Sequence, residues 1–320
     1  MTIAWVLGSK GLLGSALCRV LHFGQTDLFV PAERFCWGDE QEFIPQLTAA
    51  VEAFSARAEG LPRWEVYWAA GVGNMSSSEA DLALETRALT RLLRLLDSAP
   101  RLAAMPGAVV LASSAGAIYA GAADHIISED TVPAPTTAYA REKLKQEHLV
   151  RSFVRAGNDR IALLARLSTV YGPGQSLNKQ QGLFAHIARC IIRNQPIQVY
   201  VPLDTIRDYI DADDAAAAMI AALRAIPGTS TAFIKIIASE QPVTVAEIIS
   251  IFKRLARRAP RVVTSSGRLT NLYSRRMQFH SVATLPYPVL PRTSLLVGIA
   301  KVMAALGMAY ATNLFGFRDA

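Results

Sequence analysis

Two short patterns in this 320-residue sequence bring together side chains able to move a proton and backbone able to cradle a phosphate. The first is Tyr139-Ala-Arg-Glu-Lys143, a tyrosine and a lysine four positions apart. That spacing puts both on one face of a helix. A free phenol titrates near pH ~10 and is a poor base at neutrality, but a neighbouring ammonium stabilises the phenolate and brings it toward the working range. Upstream, Ser113 and Ser114 close the apolar run Ala108 to Ala112, and a serine hydroxyl aimed at the same oxygen polarises a carbonyl or relays a proton. Hydride transfer at a carbinol carbon needs such a proton partner. Tyr-x-x-x-Lys also occurs by chance on structural helices, so its weight comes from what accompanies it.

The companion is Gly8, Gly11 and Gly14, a G-x-x-G-x-x-G directly after a strand-like run and at the mouth of a helix-like one. The first glycine permits a tight turn, the second lets backbone approach a pyrophosphate at the helix N-terminus, and the third lets helix pack on strand. Gly8, Lys10, Gly11, Leu12 and Gly14 are the candidate cofactor contacts of this loop. An ordinary glycine-rich turn is the competing reading. Choice of adenosine ribose is made at the end of the second strand, where an acid favours a free 2′-hydroxyl and an arginine a 2′-phosphate. The sequence supplies both, as Glu33 and Arg34, and Lys10 adds a second cation, so NAD and NADP remain open. Asp39 is either an adenine contact or the cap of the helix after it.

These side chains need a frame. Short β-rich runs alternate with amphipathic helical runs over the first two thirds of the chain, which implies βαβ units and a parallel sheet. Strands are expected at Thr2 to Leu7, Asp27 to Val30, Trp64 to Ala69, Ala108 to Ala112 and Ile161 to Ala165, with a short extra one at Phe35 to Trp37. Helices are expected at Leu12 to Phe23, Glu42 to Ala58, Glu79 to Asp97, Tyr139 to Ala156 and Asp213 to Leu223. After Tyr171 the texture changes to a turn-rich insert, a helix from Leu183 to Arg193, Pro-rich loops and a final helix near Ser294 to Leu306. The fold class is therefore α/β, a Rossmann-like doubly wound parallel sheet with a smaller C-terminal α/β substrate lobe. Residues 1–170 form the dinucleotide-binding part, 207–238 return to it, and 171–206 with 239–320 build the lobe.

Composition narrows the function. With 51% hydrophobic and 18% charged residues, the chain is neither disordered nor fibrous. Its net charge of +7 is spread over scattered arginines, and the densest cluster, Lys253 to Arg261, has no interleaved aromatics, so nucleic acid is not the expected partner. Three separated cysteines fit a reducing cytoplasm, and neither they nor the five histidines have metal-ligand spacing. The glycine-broken start reads as a first strand rather than a secretory signal. The apolar stretch Val302 to Phe317 is too short and interrupted to span a bilayer. The expectation is a cytoplasmic protein with no membrane and no metal.

Taken together with WAAG (Trp68 to Gly71), SSAGAIY (Ser113 to Tyr119), Glu129, Pro135, RLSTVYGPG (Arg166 to Gly174) and RDYIDADDAA (Arg207 to Ala216), the glycine loop and YAREK resemble an extended short-chain dehydrogenase/reductase, of the nucleotide-sugar epimerase and dehydratase family. The resemblance covers most of the chain. It implies Tyr139 as acid/base, Lys143 as its charged partner and ribose contact, a serine as carbonyl donor, and Ala69, Ala70 and Gly71 beside the dinucleotide. The family's usual 25-position separation from serine to tyrosine selects Ser114 over Ser113. The dehydratase branch carries an acidic pair after this serine, whereas Ala115-Gly116-Ala117 follows here, leaving epimerases and ketoreductases. Glu85 stands where the family commonly has asparagine. Little room is left between the second and third strands, as in the reductase branch.

The resemblance assigns Arg207 to the substrate diphosphate, whose oxygens match a guanidinium fork, while an ion pair with Asp208 or Asp211 is its competing role. Arg276 and Arg292 are further diphosphate candidates. Gln181, with Asn178 and Gln180, is placed to meet sugar or nucleotide. Asp213 and Asp214 are read as a helix N-terminal cap rather than a metal pair. Helices 79–97 and 139–156 resemble the pair through which relatives dimerise, with Leu82, Leu89, Leu92, Leu93 and Leu96 as apolar faces, some of which must cover the sheet instead. The expected partners are thus a nucleotide-sugar substrate and a second copy of the chain. The leading function is an NAD(P)-dependent nucleotide-sugar epimerase; the alternatives are an NADPH-dependent keto-sugar reductase and a non-catalytic dinucleotide sensor.

Overall fold

A computed structural model describes residues 2–71, 73, 77–157, 159–174, 182–257, 260–264 and 276–316. In chain order the front of the molecule runs β1 (Ile3–Leu7), α1 (Leu12–Phe23), β2 (Asp27–Phe29), α2 (Glu40–Ala58), β3 (Trp64–Trp68), α3 (Glu79–Ser98), α4 (Pro100–Ala103), β4 (Gly107–Ser114), α5 (Ala115–Ile118), α6 (Ala138–Ala156) and β5 (Arg160–Leu167). The rest runs β6 (Thr169–Tyr171), α7 (Leu183–Ile192), β7 (Ile197–Val199), β8 (Ile206–Arg207), β9 (Tyr209–Asp211), α8 (Ala212–Arg224), β10 (Thr231–Ile237), β11 (Val243–Thr244), α9 (Val245–Ala256), β12 (Val262–Thr264) and α10 (Leu295–Gly316).

Six strands form one parallel sheet in the order β10-β5-β4-β3-β1-β2. β1, β3 and the first five residues of β4 are nearly continuous apolar runs, because a parallel sheet is covered on both faces. One face packs under α2, α3 and α6 through Trp5, Phe54, Trp68, Leu89 and Phe153. The other packs under α1 and α8 through Ala16, Leu17, Ala215 and Met219. The strand order reverses at β1: the chain leaves it for β2 on one side and returns to β3 on the other. A ligand crevice opens outside the carboxyl ends of strands at such a switch. A third apolar cluster, with Tyr171, Phe184, Ile248, Phe252 and Ile299, lies beneath α7, α9 and α10. β10 pairs in parallel with β5 along its whole length.

Three local expectations differ from the structure. Residues Phe35 to Trp37 form no strand; Phe35 instead meets Phe43 edge-on, Trp37 lies tilted against Phe43, and Trp37 meets Trp68 at 6.0 Å, so aromatic packing against α2 uses the side chains that suggested a strand. Asp213 and Asp214 lie in the first turn of α8, whose cap is Asp211, accepting from the Asp213 amide at 2.9 Å. The final helix is longer than expected. Its stretch Leu295–Thr312, at mean hydropathy 1.7 and with 22% of its residues buried, is long and apolar enough to cross a bilayer by length and composition. The apolar run thus begins at Leu295 rather than at Val302.

Candidate active site

Gly8 ends β1 at φ +84°, a left-handed conformation that glycine alone adopts without strain, and a Cβ there would lie 2.6 Å from the Ala69 carbonyl. Gly14 sits so close beneath it that its Cβ would lie 2.1 Å from the Gly8 oxygen. The two glycines thus let α1 start immediately over the crossover between β1 and β3. The Ala69 amide donates to the Leu7 carbonyl at 3.0 Å, holding the Ala69 to Gly71 loop alongside. The N-cap of α1 is Gly11, which supplies no capping side chain, and a Cβ on it would meet only the Gly8 oxygen, at 3.3 Å. Open space above uncapped, positively polarised amides fits a dinucleotide pyrophosphate. Lys10, Glu33 and Arg34 are exposed at the same end of the sheet. Asp39 caps α2, its Oδ1 accepting from the Gln41 and Glu42 amides at 2.9 and 3.3 Å.

The serine pair divides its work. Ser113 is buried and donates to Glu147 Oε1 at 2.7 Å. Ser114, half-buried, is the N-cap of α5, its Oγ accepting from the Ala117 amide at 3.3 Å. An accepting hydroxyl keeps its own proton to donate. On α6, begun by the Thr137 cap, Lys143 is buried with its ammonium 5.6 Å from the centre of the half-buried Tyr139 ring. The Lys143 Nζ donates to Glu85 Oε1 at 2.8 Å and to Gln146 Oε1 at 3.0 Å. Burial alone would pull this ammonium down. The neighbouring Tyr139 and Glu85 outweigh that, and Lys143 holds its proton more tightly than an ordinary lysine.

Behind this pair Arg166 donates to Glu147 from Nε at 2.9 Å and from Nη2 at 2.7 Å, and to the Tyr119 hydroxyl from Nη1. Burial works against the Arg166 charge, but the bonds to Glu147 and Tyr119 raise its proton affinity above the usual guanidinium. Glu147, Gln146 and Tyr119 were not singled out by the sequence reading. The i, i+3 and i, i+4 spacing of Lys143, Gln146 and Glu147 was the available signal.

The sequence-predicted substrate residues are less gathered. Arg207, half-buried on β8, donates to the Ile206 carbonyl at 2.8 Å. The two oxygens of Asp208, named in the competing reading of Arg207, accept from the Ser239 amide and hydroxyl and the Gln241 amide. Asp211 serves as the α8 cap and faces Lys301 at 3.7 Å. Arg276 bridges to Ile206 on the same side, whereas Arg292 is drawn to the Ser239 carbonyl and to Glu240. Asn178, Gln180 and Gln181 lie outside the described residues. Among the described residues no three His, Cys, Asp or Glu side chains gather as metal ligands.

A model of the NAD-dependent epimerase/dehydratase family matches residues 4–232. The chain belongs to this family. Among curated members it is similar to a dTDP-L-rhamnose 4-epimerase of Burkholderia thailandensis, 36% identical over 107 residues covering 33% of this chain and 29% of that one. It is also similar to a dTDP-4-dehydro-6-deoxyglucose reductase of Escherichia coli, 30% identical over 115 residues covering 36% of each. The aligned segments span only 29% and 36% of the lengths of these two relatives. In three dimensions it resembles RMD of Pseudomonas aeruginosa, solved with NADPH, at TM-score 0.77 and 20% identity over 97% of this chain and 100% of that one. Family membership carries the fold and the dinucleotide dependence in the family's name.

Proposed function

We propose that the chain is an NAD(P)-dependent enzyme acting at a carbinol or carbonyl carbon of a nucleotide-linked sugar, working as an epimerase. The observation that carries this reading is the Tyr139–Lys143 pair on α6, a helix that packs on the strand ending at Ser114, in a sheet where Gly8, Gly11 and Gly14 leave room for a phosphate at the start of α1. When bound, the dinucleotide supplies the hydride acceptor and donor. Gly8, Lys10, Gly11, Leu12, Gly14 and the Ala69 to Gly71 loop hold it, with Glu33, Arg34 or Asp39 toward the adenosine. Tyr139 takes the proton of the sugar hydroxyl and returns it, Ser114 donates to the resulting carbonyl oxygen, and the Lys143 ammonium supports the charge on the phenol oxygen. The residues after Ser114, Ala115 to Ile118, carry no acid or base, which sets aside elimination of water. Arg207 takes the diphosphate, and Gln181 the sugar or nucleotide.

The second reading, a keto-sugar reductase, is favoured by the similarity to the Escherichia coli reductase and by the cations Lys10 and Arg34, which suit a 2′-phosphate. One preparation separates the two. Dinucleotide that stays with the purified protein and conversion of a dTDP- or UDP-hexose without added cofactor support the epimerase. Stoichiometric consumption of NADPH with a nucleotide-linked 4-keto sugar supports the reductase.

We also propose a cytoplasmic homodimer. Leu82, Leu89, Leu92, Leu93 and Leu96 are all buried within the protomer and cannot form its seam. The surface of α3 and α6 offers Leu84, 40% exposed, among charged side chains instead.

A further inference from the structure

The Glu85 carboxylate is packed against the proposed proton-transfer residues. Its side chain is 9% exposed. Gly71 and Gly73 leave room for it: a Cβ on Gly71 would lie 2.5 Å from Glu85 Oε2, and one on Gly73 would lie 3.3 Å from it and 3.5 Å from the Tyr139 ring. An ammonium has three donors. Lys143 spends one on Glu85 and one on Gln146, so a single N–H remains for a ligand hydroxyl.

Other charged groups surround the pair, and Glu147 also acts on Lys143 through space. On α6, Glu147 takes Arg166 of β5 and Ser113 of β4; Tyr119, after α5, accepts from the same guanidinium; Arg151 of α6 lies near both Glu147 and Arg166. From α3, Thr86 meets Gln146. From β10, Lys235 is held by Ser281 and the Ala283 carbonyl. Among the described residues, Glu85 is the carboxylate hydrogen-bonded to Lys143.

We propose that Glu85 is a positioning residue that acts through Lys143: it aims the remaining N–H of the ammonium and neutralises part of the charge Lys143 presents to the phenol, so that the proton of Tyr139 leaves at higher pH than it would beside a free ammonium. This inference rests on the acid/base assignment above. A phenol held in its protonated form is suited to donating to a keto-sugar oxygen, and the oxidative half of the cycle then strengthens with rising pH.

The test uses the full chain with Glu85→Gln, which keeps an acceptor but removes the charge, Glu85→Asp, which keeps the charge, and Gln146→Glu, which adds a second carboxylate. Phenolate absorbance is titrated in each variant and in its Tyr139→Phe counterpart, so that the difference reports Tyr139 without needing a substrate. The pH dependence of turnover is recorded alongside. A nearby like charge disfavours ionisation, so Glu85→Gln is expected to shift the phenolate signal about one pH unit lower and Gln146→Glu to shift it higher, with Glu85→Asp near the parent. Coincident titrations for the parent and either charge-changing variant, shifts of the opposite sign, or an Asp variant that moves as far as the Gln variant would overturn the proposal. If no nucleotide sugar is turned over while the absorbance shifts appear, the proposed substrate fails and the role of Glu85 stands.

Discussion

At the scale of single residues, the account makes Tyr139 the group that handles the substrate proton and Ser114 its helper. Replacing Tyr139 with Phe removes the hydroxyl but keeps the ring, and turnover is expected to fall by ~10²–10⁴, the usual worth of a positioned acid/base, with dinucleotide binding retained. Ser114→Ala is expected to lower turnover less than Tyr139→Phe, and steady-state kinetics of the two variants check the ranking. The tyrosine, lysine and serine were legible because their spacing encodes a shared helix face and a strand end. The partner of Lys143 was not. Glu85 lies 58 positions away on another helix, and only packing of α3 against α6 brings the two to 2.8 Å. The same applies to Ser113, whose hydroxyl is claimed by Glu147 through a contact 34 positions long.

At the scale of elements, the site is positioned by turns and buried pairs that tolerate little change. Gly14→Ala places a methyl 2.1 Å from the Gly8 carbonyl, backbone against backbone, where neither side yields cheaply. Overpacking of this kind costs ~1–3 kcal/mol, so thermal unfolding should come earlier and NAD(P) affinity, read by fluorescence titration, should fall with it. Glu147→Gln leaves the Arg166 guanidinium buried without its counter-charge, and breaking such a pair typically costs ~3–5 kcal/mol. Denaturant titration should show that loss. If Glu147→Gln matches the parent in stability, the cluster behind the site does not hold α6 to β5 as described. Most elements were legible because parallel strands must be apolar throughout and helices apolar on one stripe. Phe35 to Trp37 was misread because three residues cannot distinguish a strand from an aromatic plug.

At the scale of the whole molecule, Glu129 ties the segment after Arg276 to the sheet. Its carboxylate accepts from the Ile236 amide at 2.7 Å, the Ser281 hydroxyl at 2.6 Å and the Val282 amide at 2.8 Å. Burial pushes its proton affinity up, but these bonds together push it further down, so the carboxyl sits below the usual range. A depressed folded value means that the group stabilises the fold above the unfolded value, near pH ~4.3, and that this is lost as pH falls through the folded value. Melting temperatures of Glu129→Gln and the parent should therefore differ most near neutrality and converge in acid; a constant gap would contradict the assignment. Five strands of the sheet were readable from the alternation of runs, whereas β10 was not among the strands expected. The surroundings of Arg207 were not, because they are set by contacts between segments far apart in sequence.

The most direct measurement follows reduced nicotinamide by absorbance when purified protein meets dTDP- and UDP-linked hexoses, or NADPH with the corresponding 4-keto sugars, for the parent and for Tyr139→Phe. The account predicts a change in nicotinamide absorbance or a converted sugar with the parent, slowed at least about 100-fold in Tyr139→Phe while the dinucleotide remains bound. Parent and variant running at equal rates would contradict it.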